Sequence, residues 1–155
     1  MDIRDTETLV HLHLEANGLA DWRFQWSTAK VTAGSCNYTR RTIKLSKPLM
    51  AQWEESAVEN TILHEVAHAL TGPGHGHNRK WQRIARSLGC TGDRCWAESD
   101  DSPALAPAWV AVCPQGHVSK RGYHRRPTAT RSCSVCSSRF DARYILTYQR
   151  AAQAA

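Results

Sequence analysis

The sequence predicts an α+β fold in which helices and a short antiparallel sheet form a small domain that precedes a cysteine-containing module. Three segments carry apolar residues every three to four positions, as one face of a helix does, and two others alternate apolar and polar residues, as strands do. Near the carboxyl end, closely spaced cysteines and histidines indicate a small structure that a metal ion stabilises.

The predicted helices are Thr6–Ala16, Ala57–Leu70 and Asn78–Leu88. Gly72-Pro73-Gly74 separates the second helix from the third, because neither glycine nor proline continues a helix readily. The alternating runs Trp22–Trp26 and Arg41–Leu45 lie between the first two helices. They predict the strands of a small antiparallel sheet.

The chain divides into four predicted segments. We expect a core at residues 1–98, a linker at 99–108, a basic module at 109–150 and a frayed, alanine-rich tail at 151–155. The linker assignment depends on two aspartates and two prolines between Glu98 and Ala108. With 155 residues, the chain has room for one small domain and such an appendage.

Composition and charge narrow the class of protein. Hydrophobic residues make up 41% and charged residues 22%, which is typical of a globular protein, and no stretch is apolar enough to span a membrane. The amino terminus lacks a secretory pattern, so we expect a cytoplasmic location, compatible with association with the nucleoid, and cysteines that are thiols or metal ligands.

The net charge is unevenly distributed: residues 1–112 have a net charge of −1 and residues 113–155 have a net charge of +7. This asymmetry favours a polyanionic partner such as DNA; the alternative is that the charge only keeps the protein soluble.

The motif His64-Glu65-Val66-Ala67-His68, of the form HExxH, lies within the second predicted helix. Two histidines four residues apart project from one helix face, close enough to hold a single zinc ion. A glutamate beside the first histidine points toward the water that the zinc activates. This pattern predicts a zinc-dependent hydrolase in which Glu65 is the general base.

A catalytic zinc normally has three protein ligands and one open position, so a third ligand is required. His75 and His77 both follow Gly72-Pro73-Gly74, where the chain reverses and could return either ring to the metal. The third predicted helix contains no glutamate that could serve instead. Spacing therefore leaves two histidine candidates.

The chain resembles the SprT-like metallopeptidases, which include Spartan. Their HExxH motif is followed by a short glycine-containing insertion and then a His-Gly/Asn-x-x-Trp/Phe motif, and here the sequence is His77-Asn78-Arg79-Lys80-Trp81. Upstream, Gly34 and Ile43-Lys44-Leu45-Ser46 are similar to the strand before the family's active-site helix. The resemblance covers about residues 5–147 and implies a zincin-like metallopeptidase core with His77 as the third ligand. It also implies DNA binding and cleavage of DNA-associated or crosslinked proteins.

The carboxyl-terminal module has the ligand spacing of a structural zinc site. We predict a zinc ribbon held by Cys113, His117, Cys133 and Cys136, with His124 as an alternative to His117 because SprT-like relatives more often have cysteine at that position. The chain would then bind one catalytic and one structural zinc ion. Cys36, Cys90 and Cys95 remain; we expect reduced thiols there, and a further structural metal is the alternative.

Basic residues lie between the two ligand pairs of the module. The candidate nucleic-acid contacts are Lys120, Arg121, Tyr123, Arg125, Arg126 and Arg131. Cations could contact phosphates, and the tyrosine could stack on a base.

Two other functions stay open: a non-catalytic nucleic-acid-binding adaptor with structural zincs, and a zinc hydrolase that cuts nucleic acid. Glu65 argues against the adaptor, because a structural metal site has no use for a general base.

Overall fold

The computed structural model describes residues 2–94, 99, 101–119 and 122–151. It divides into two compact parts, a core unit (Met1–Leu105) and a C-terminal unit (Ala106–Ala155). Helices and a sheet make up the core unit, and a second small sheet lies in the C-terminal unit. The predicted α+β class is thereby confirmed. Among the described residues, no helix is both long enough and apolar enough to cross a membrane.

The core unit contains four helices in the described part of the chain: α1 (Ile3–Ala16), α2 (Lys47–Met50), α3 (Glu55–Thr71) and α4 (Arg79–Ser87). The Asp2 side chain caps α1 by accepting a hydrogen bond from the Arg4 backbone N–H. Ser46 caps α2 by accepting from the Leu49 N–H, and Pro48 fits the first turn because that turn needs no N–H there. The three predicted helices correspond to α1, α3 and α4.

The sheet of the core unit consists of β1 (Arg23–Ser27), β2 (Gly34–Asn37) and β3 (Thr42–Ser46), in the order β1-β3-β2. β2 and β3 are antiparallel, but β1 and β3 are parallel, so the expectation of an antiparallel sheet is wrong for that pair. The reason is that β3, the most deeply buried strand, occupies the centre. Two chain reversals separate β3 from β1, and strands separated by two reversals run in the same direction.

Helices α1 and α3 contact each other and the sheet, and the apolar core lies between them. Val58, Ile62 and Val66 of α3 are fully buried there, and their spacing of four residues places them on one helix face. Each such side chain stabilises the fold by about 1.5–3 kcal/mol through burial. This burial fixes the rotation of α3 about its axis. It therefore also fixes the directions in which the other side chains of α3, His64 and His68 among them, project.

The boundary between the units differs from the predicted one. The Trp53 indole Nε1 donates to the Pro103 carbonyl oxygen at 2.9 Å, and the Glu54 N–H donates to the Asp101 carbonyl oxygen at the same distance. The first part of the predicted linker (99–108) therefore belongs to the core unit, which ends at Leu105 rather than at residue 98. The sequence missed this because the contacts join positions about fifty residues apart.

The C-terminal unit contains β4 (Trp109–Val112) and β5 (Thr147–Arg150), which pair in antiparallel fashion, and a short 3-10 helix (Ala142–Tyr144). Isolated bridges join Val112 of β4 to Val118, and Ser132 to Ile145 in the segment before β5, so backbone pairing holds both cysteine-containing loops. Residues 152–155 of the predicted frayed tail lie outside the described residues.

Candidate active site and metal centres

The motif His64-Glu65-Val66-Ala67-His68 lies inside α3, and the two histidines are one helical turn apart on the same face. α3 ends at Thr71, and Gly72 follows it with a φ of 85°, in the region that glycine adopts without strain. The chain then turns back and α4 begins. The Asn78 side chain caps α4 by accepting hydrogen bonds from the backbone N–H groups of Lys80 and Trp81. This cap fixes the position of His77, the preceding residue.

Three imidazole nitrogens converge at one point. His64 Nε2 lies 3.3 Å from His68 Nε2 and 3.0 Å from His77 Nε2, and the third side of the triangle measures 3.1 Å. A tetrahedral zinc with Zn–N bonds of 2.0–2.1 Å places its nitrogen ligands about 3.3 Å apart. Three neutral rings pointing at one centre cannot all be satisfied by hydrogen bonds among themselves, so the partner that suits them is a cation. The geometry of the cluster therefore fits a zinc ion.

His75 does not join this cluster. Its Nδ1 lies 3.1 Å from Asn78 Nδ2, and its Nε2 lies 3.4 Å from Lys80 Nζ. Its ring is thus held against the start of α4. Of the two candidates for third ligand, the structure brings His77 to the other histidines.

Trp81 supports all three rings of the cluster. Its side chain is fully buried, and its ring centroid lies 4.6 Å from that of His64, 5.1 Å from that of His68 and 4.6 Å from that of His77. The indole Nε1 has no hydrogen-bond partner among the described residues, so packing alone holds this ring. The sequence identified Trp81 only as part of a motif; its contact with every histidine of the cluster was not foreseen.

The protonation of the histidines suits metal binding. Burial, followed by the charges of the other two histidines, lowers the pKa of His64 to about 4. Burial and the His77 charge lower the pKa of His68 to about 4 as well, and burial followed by the Arg94 charge lowers that of His77. A neutral imidazole is the form that ligates a metal, so all three rings are prepared for ligation at neutral pH.

Glu65 lies beside the cluster, beneath strand β2. Only 5% of its surface is exposed, and no described residue donates a hydrogen bond to its carboxylate. Burial raises the pKa of this carboxyl to about 8. A β-carbon added at Gly34 of β2 would lie 2.6 Å from Glu65 Oε1, so the absence of a side chain at position 34 leaves the space that the carboxylate occupies.

The histidine cluster and Glu65 line one cavity of about 1120 Å³ in the core unit. Strand β2 forms one wall, α3 another, and the loop before α4 a third. Among the described residues, no fourth Cys, His, Asp or Glu joins the three histidines. A metal there would keep a position open toward a cavity large enough for a polypeptide segment. This is the arrangement of a catalytic rather than a structural metal.

The sequence model of the SprT-like family matches residues 5–101 of this chain, which is more than half of its length. The chain belongs to the SprT-like family. This result confirms the resemblance to the SprT-like family. A solved structure, the metallopeptidase zymogen of Pyrococcus abyssi abylysin, is 18% identical with a TM-score of 0.44, and the match covers 52% of this chain and 76% of that chain. At that level of similarity it adds nothing to the assignment. No curated protein matches the sequence.

The C-terminal unit lies outside the segment that matches the SprT-like family, and it holds a second cluster of possible metal ligands. Cys113, His117, Cys133 and Cys136 place their ligand atoms within 4.8 Å of one another. The Cys113 and Cys136 Sγ atoms are 3.5 Å apart, and His117 Nδ1 lies 3.2 Å from Cys136 Sγ and 3.8 Å from Cys133 Sγ. Sulfur and nitrogen ligands of a tetrahedral zinc have separations of about this size.

The backbone of this SprT-like chain builds the second cluster from two tight turns. The Cys113 N–H donates to the His117 carbonyl, and Gly116 between them has a φ of 82°, which favours glycine. Burial raises the pKa of the Cys133 thiol, but backbone N–H groups of Cys136 and Val135 lower it, and the net result is about 7. Burial and the two neighbouring sulfurs raise the pKa of Cys136 to about 12. A second thiolate here therefore requires a cation.

His124 does not join the second cluster, so the structure brings His117 to the three cysteines. Of the proposed nucleic-acid contacts, Arg125, Arg126 and Arg131 are exposed, and Tyr123 is half-buried. Lys120 and Arg121 lie outside the described residues.

Trp109 and Arg150 lie beside the candidate nucleic-acid contacts Tyr123 and Arg126, and the sequence did not single them out. The guanidinium carbons of Arg150 and Arg126 lie 4.5 and 5.7 Å from the centroid of the Trp109 ring. Tyr123 contacts Tyr148 edge to face. The pairing of β4 with β5 places Arg150 opposite Trp109, and a separate isolated bridge joins Trp109 to Tyr123; neither pairing is visible in the spacing of the motif.

The remaining cysteines take part in neither cluster in the described part of the chain. Cys36 is half-buried on β2, and burial followed by the Glu65 charge raises the pKa of its thiol to about 12. Cys90 is buried, and burial is the main cause that raises the pKa of its thiol. Cys95 lies outside the described residues. Protonated thiols of this kind are inert rather than reactive.

Proposed function

We propose that the protein is a zinc-dependent metallopeptidase that hydrolyses proteins bound or crosslinked to DNA. The observation that carries the peptidase part is the convergence of three histidine Nε2 atoms beside Glu65, at the wall of a cavity of about 1120 Å³. Family membership supports the same class of reaction.

His64, His68 and His77 would hold the catalytic ion. When bound, zinc supplies a Lewis acid that polarises the scissile carbonyl and acidifies water. Glu65 accepts the proton of the attacking water at a carboxylate oxygen and returns it to the amide nitrogen as the C–N bond breaks. Without the metal, burial raises the pKa of Glu65 to about 8. The charge of a bound zinc ion would favour the carboxylate, which is the form that a general base needs.

The second cluster supports a structural zinc site, because four soft ligands would leave no open position. We propose a zinc ribbon there that stabilises the fold of the C-terminal unit. Such a small sheet has little apolar core of its own, so a metal ion would supply the missing stability.

The DNA part of the proposal rests on charge. Residues 113–155 carry eight Lys/Arg and one Asp/Glu, and that acid, Asp141, is paired with Arg143. The exposed Arg125 and Arg131 would contact phosphates, and Trp109, flanked by Arg126 and Arg150, would offer an aromatic ring for a base. We further propose that the protein works in the cytoplasm, where a nucleoid would supply such DNA.

The test incubates the full chain with a DNA-bound protein, with and without the DNA, and compares wild type with Glu65→Gln. We expect proteolysis that depends on DNA and that falls by at least about 10²-fold in Glu65→Gln while the zinc content stays at two ions per chain. Glu55→Gln is the matched control, because it makes the same chemical change at an exposed position of the same helix. It should leave the rate unchanged.

Three results would contradict the proposal in different ways. No proteolysis by the zinc-loaded wild type would favour the adaptor. Cleavage of the DNA itself would favour a nuclease. Equal proteolysis with and without DNA would remove the DNA part while leaving the peptidase intact.

A further inference from the structure

The near-neutral charge of the core unit conceals a strong separation of charge. Residues 1–105 carry 12 Lys/Arg and 13 Asp/Glu, yet residues 22–53 carry six Lys/Arg and no acid at all. This segment contains all three strands of the sheet, β1, β2 and β3. The acids lie instead on and beside α1 and α3 and in the segment that follows α4, while α4 itself carries four Lys/Arg and no acid. The segment that contains the sheet is therefore basic, although the total charge of the core unit is close to zero.

The side chains on the outer face of the sheet form two rows. Pairing aligns Arg23 with Thr42 and Asn37 in one row, and Gln25 with Lys44 and Ser35 in the next. Because side chains alternate along a strand, the apolar residues Phe24, Trp26, Ile43 and Leu45 point the other way, into the core. Arg40, in the turn between β2 and β3, extends the first row.

A shallow depression of about 410 Å³ lies on this outer face. It is lined by Arg23, Gln25, Asn37, Arg40, Thr42 and Lys44. Every one of these side chains can donate a hydrogen bond, and none is a carboxylate. No described acid forms an ion pair with Arg23, Arg40 or Lys44, whereas the neighbouring Arg41 pairs with Asp21. The three cations are thus available to an external anion.

We propose that this outer sheet face binds the phosphodiester backbone of a nucleic acid strand. Arg23 and Lys44 lie on adjacent strands two residues apart in register, so their Cα atoms are separated by roughly 8 Å. Such a spacing suits successive phosphates better than one small anion. All six lining residues are polar, so the face lacks the apolar side chains with which proteins enter a membrane surface. The contacts carry no sequence preference, since they reach only the backbone.

This interface adds to the DNA contacts proposed for the C-terminal unit and does not depend on peptidase activity. It would give the core unit its own hold on DNA.

The experiment measures the affinity of the zinc-loaded full chain for a fluorescein-labelled oligonucleotide, single-stranded and duplex, over a series of KCl concentrations. The variant is Arg23→Gln/Arg40→Gln/Lys44→Gln. The slope of log K against log [salt] is negative, and each lost phosphate contact lowers its magnitude by about 0.7 for single strands and about 0.9 for duplex. For three lost contacts we therefore expect the magnitude of the slope to fall by about 2 to 3. The control Arg79→Gln/Arg83→Gln/Arg86→Gln removes the same charge from exposed positions of α4 and should leave the slope within about 0.5 of wild type.

A slope equal to that of wild type in the sheet variant would overturn the proposal, as would an equal fall in both variants, since that would reflect net charge alone. A wild type that binds anionic lipid vesicles but no oligonucleotide would also overturn it. If the triple variant proves unstable, the single substitution Arg40→Glu at an exposed turn position serves in its place. For this variant the magnitude of the salt slope should fall by about 1. Loss of proteolysis with normal DNA binding would refute only the peptidase proposal.

Discussion

Gly34→Ala tests how closely strand β2 is fitted to the candidate catalytic carboxylate. The added β-carbon would lie 2.6 Å from Glu65 Oε1, 2.8 Å from Cγ and 2.9 Å from Cδ, whereas ordinary contacts begin at 3.4 Å. The carboxylate must therefore move by roughly 0.8 Å or β2 must shift away from α3. Gly34 does not have a positive φ, so alanine brings no backbone strain, and the whole effect comes from this contact.

Two consequences of that displacement can be measured. A misplacement of about 1 Å in a reacting group costs on the order of 10² in rate, so we expect the cleavage of a DNA-bound protein to slow by about 10- to 100-fold. Zinc content should stay at two, because the three atoms nearest the new methyl group all belong to Glu65, which is not a candidate ligand. Overpacking should also lower the free energy of unfolding of the zinc-loaded protein by about 1–3 kcal/mol.

A double-mutant cycle isolates the contact. In a Glu65→Ala background the opposing side chain is absent, so Gly34→Ala should cost less than about 0.5 kcal/mol of unfolding free energy. Urea denaturation of the four proteins supplies the numbers. The same cost in both backgrounds, or an unchanged cleavage rate in Gly34→Ala, would refute the reasoning.

Three further predictions concern the metal sites and the buried carboxyl. In metal-free protein, Glu65→Gln should raise the free energy of unfolding by up to about 3 kcal/mol at pH 7. The reason is that the pKa of Glu65 is about 8 in the folded protein and 4.5 ordinarily. The stability that protonation of Glu65 provides is therefore complete below pH 4.5 and is lost as the pH rises to 8. Urea melts from pH 4 to 8 should give equal stabilities at the acid end, and a gap independent of pH would contradict this. His77→Ala should lower the zinc content from two ions per chain to one, whereas His75→Ala should keep two, as measured by atomic emission. Cys136→Ser should also lose one zinc and unfold the C-terminal unit while peptide cleavage persists; retention of both ions would argue against the four-ligand site.

The local parts of the candidate site could be predicted from the sequence. His64 and His68 are one helical turn apart, and Asn78 caps the next helix, so backbone hydrogen bonding alone determines most of their placement. His77 needed the family resemblance, because helix geometry does not decide which histidine of a glycine-rich loop returns to the metal.

The contacts between distant segments could not be predicted. Gly34 and Glu65 are 31 positions apart, and the parallel pairing of β1 with β3 depends on which strand takes the centre of the sheet. The charge pattern was hidden for a related reason. A count over residues 1–112 averages the basic sheet and α4 with the acids on and beside α1 and α3 and after α4.

The two ligand clusters differ in a way that assigns their roles without reference to the family. The first offers three nitrogens, with a buried carboxylate beside them and a cavity in front, and the second offers three sulfurs and one nitrogen. A metal with three protein ligands keeps a position for water or substrate, while four ligands close the coordination sphere. Thiolates also donate more charge to zinc than imidazoles do and so reduce its Lewis acidity. Chemistry is therefore expected at the histidines, and the cysteines are expected to hold the C-terminal unit together around its ion.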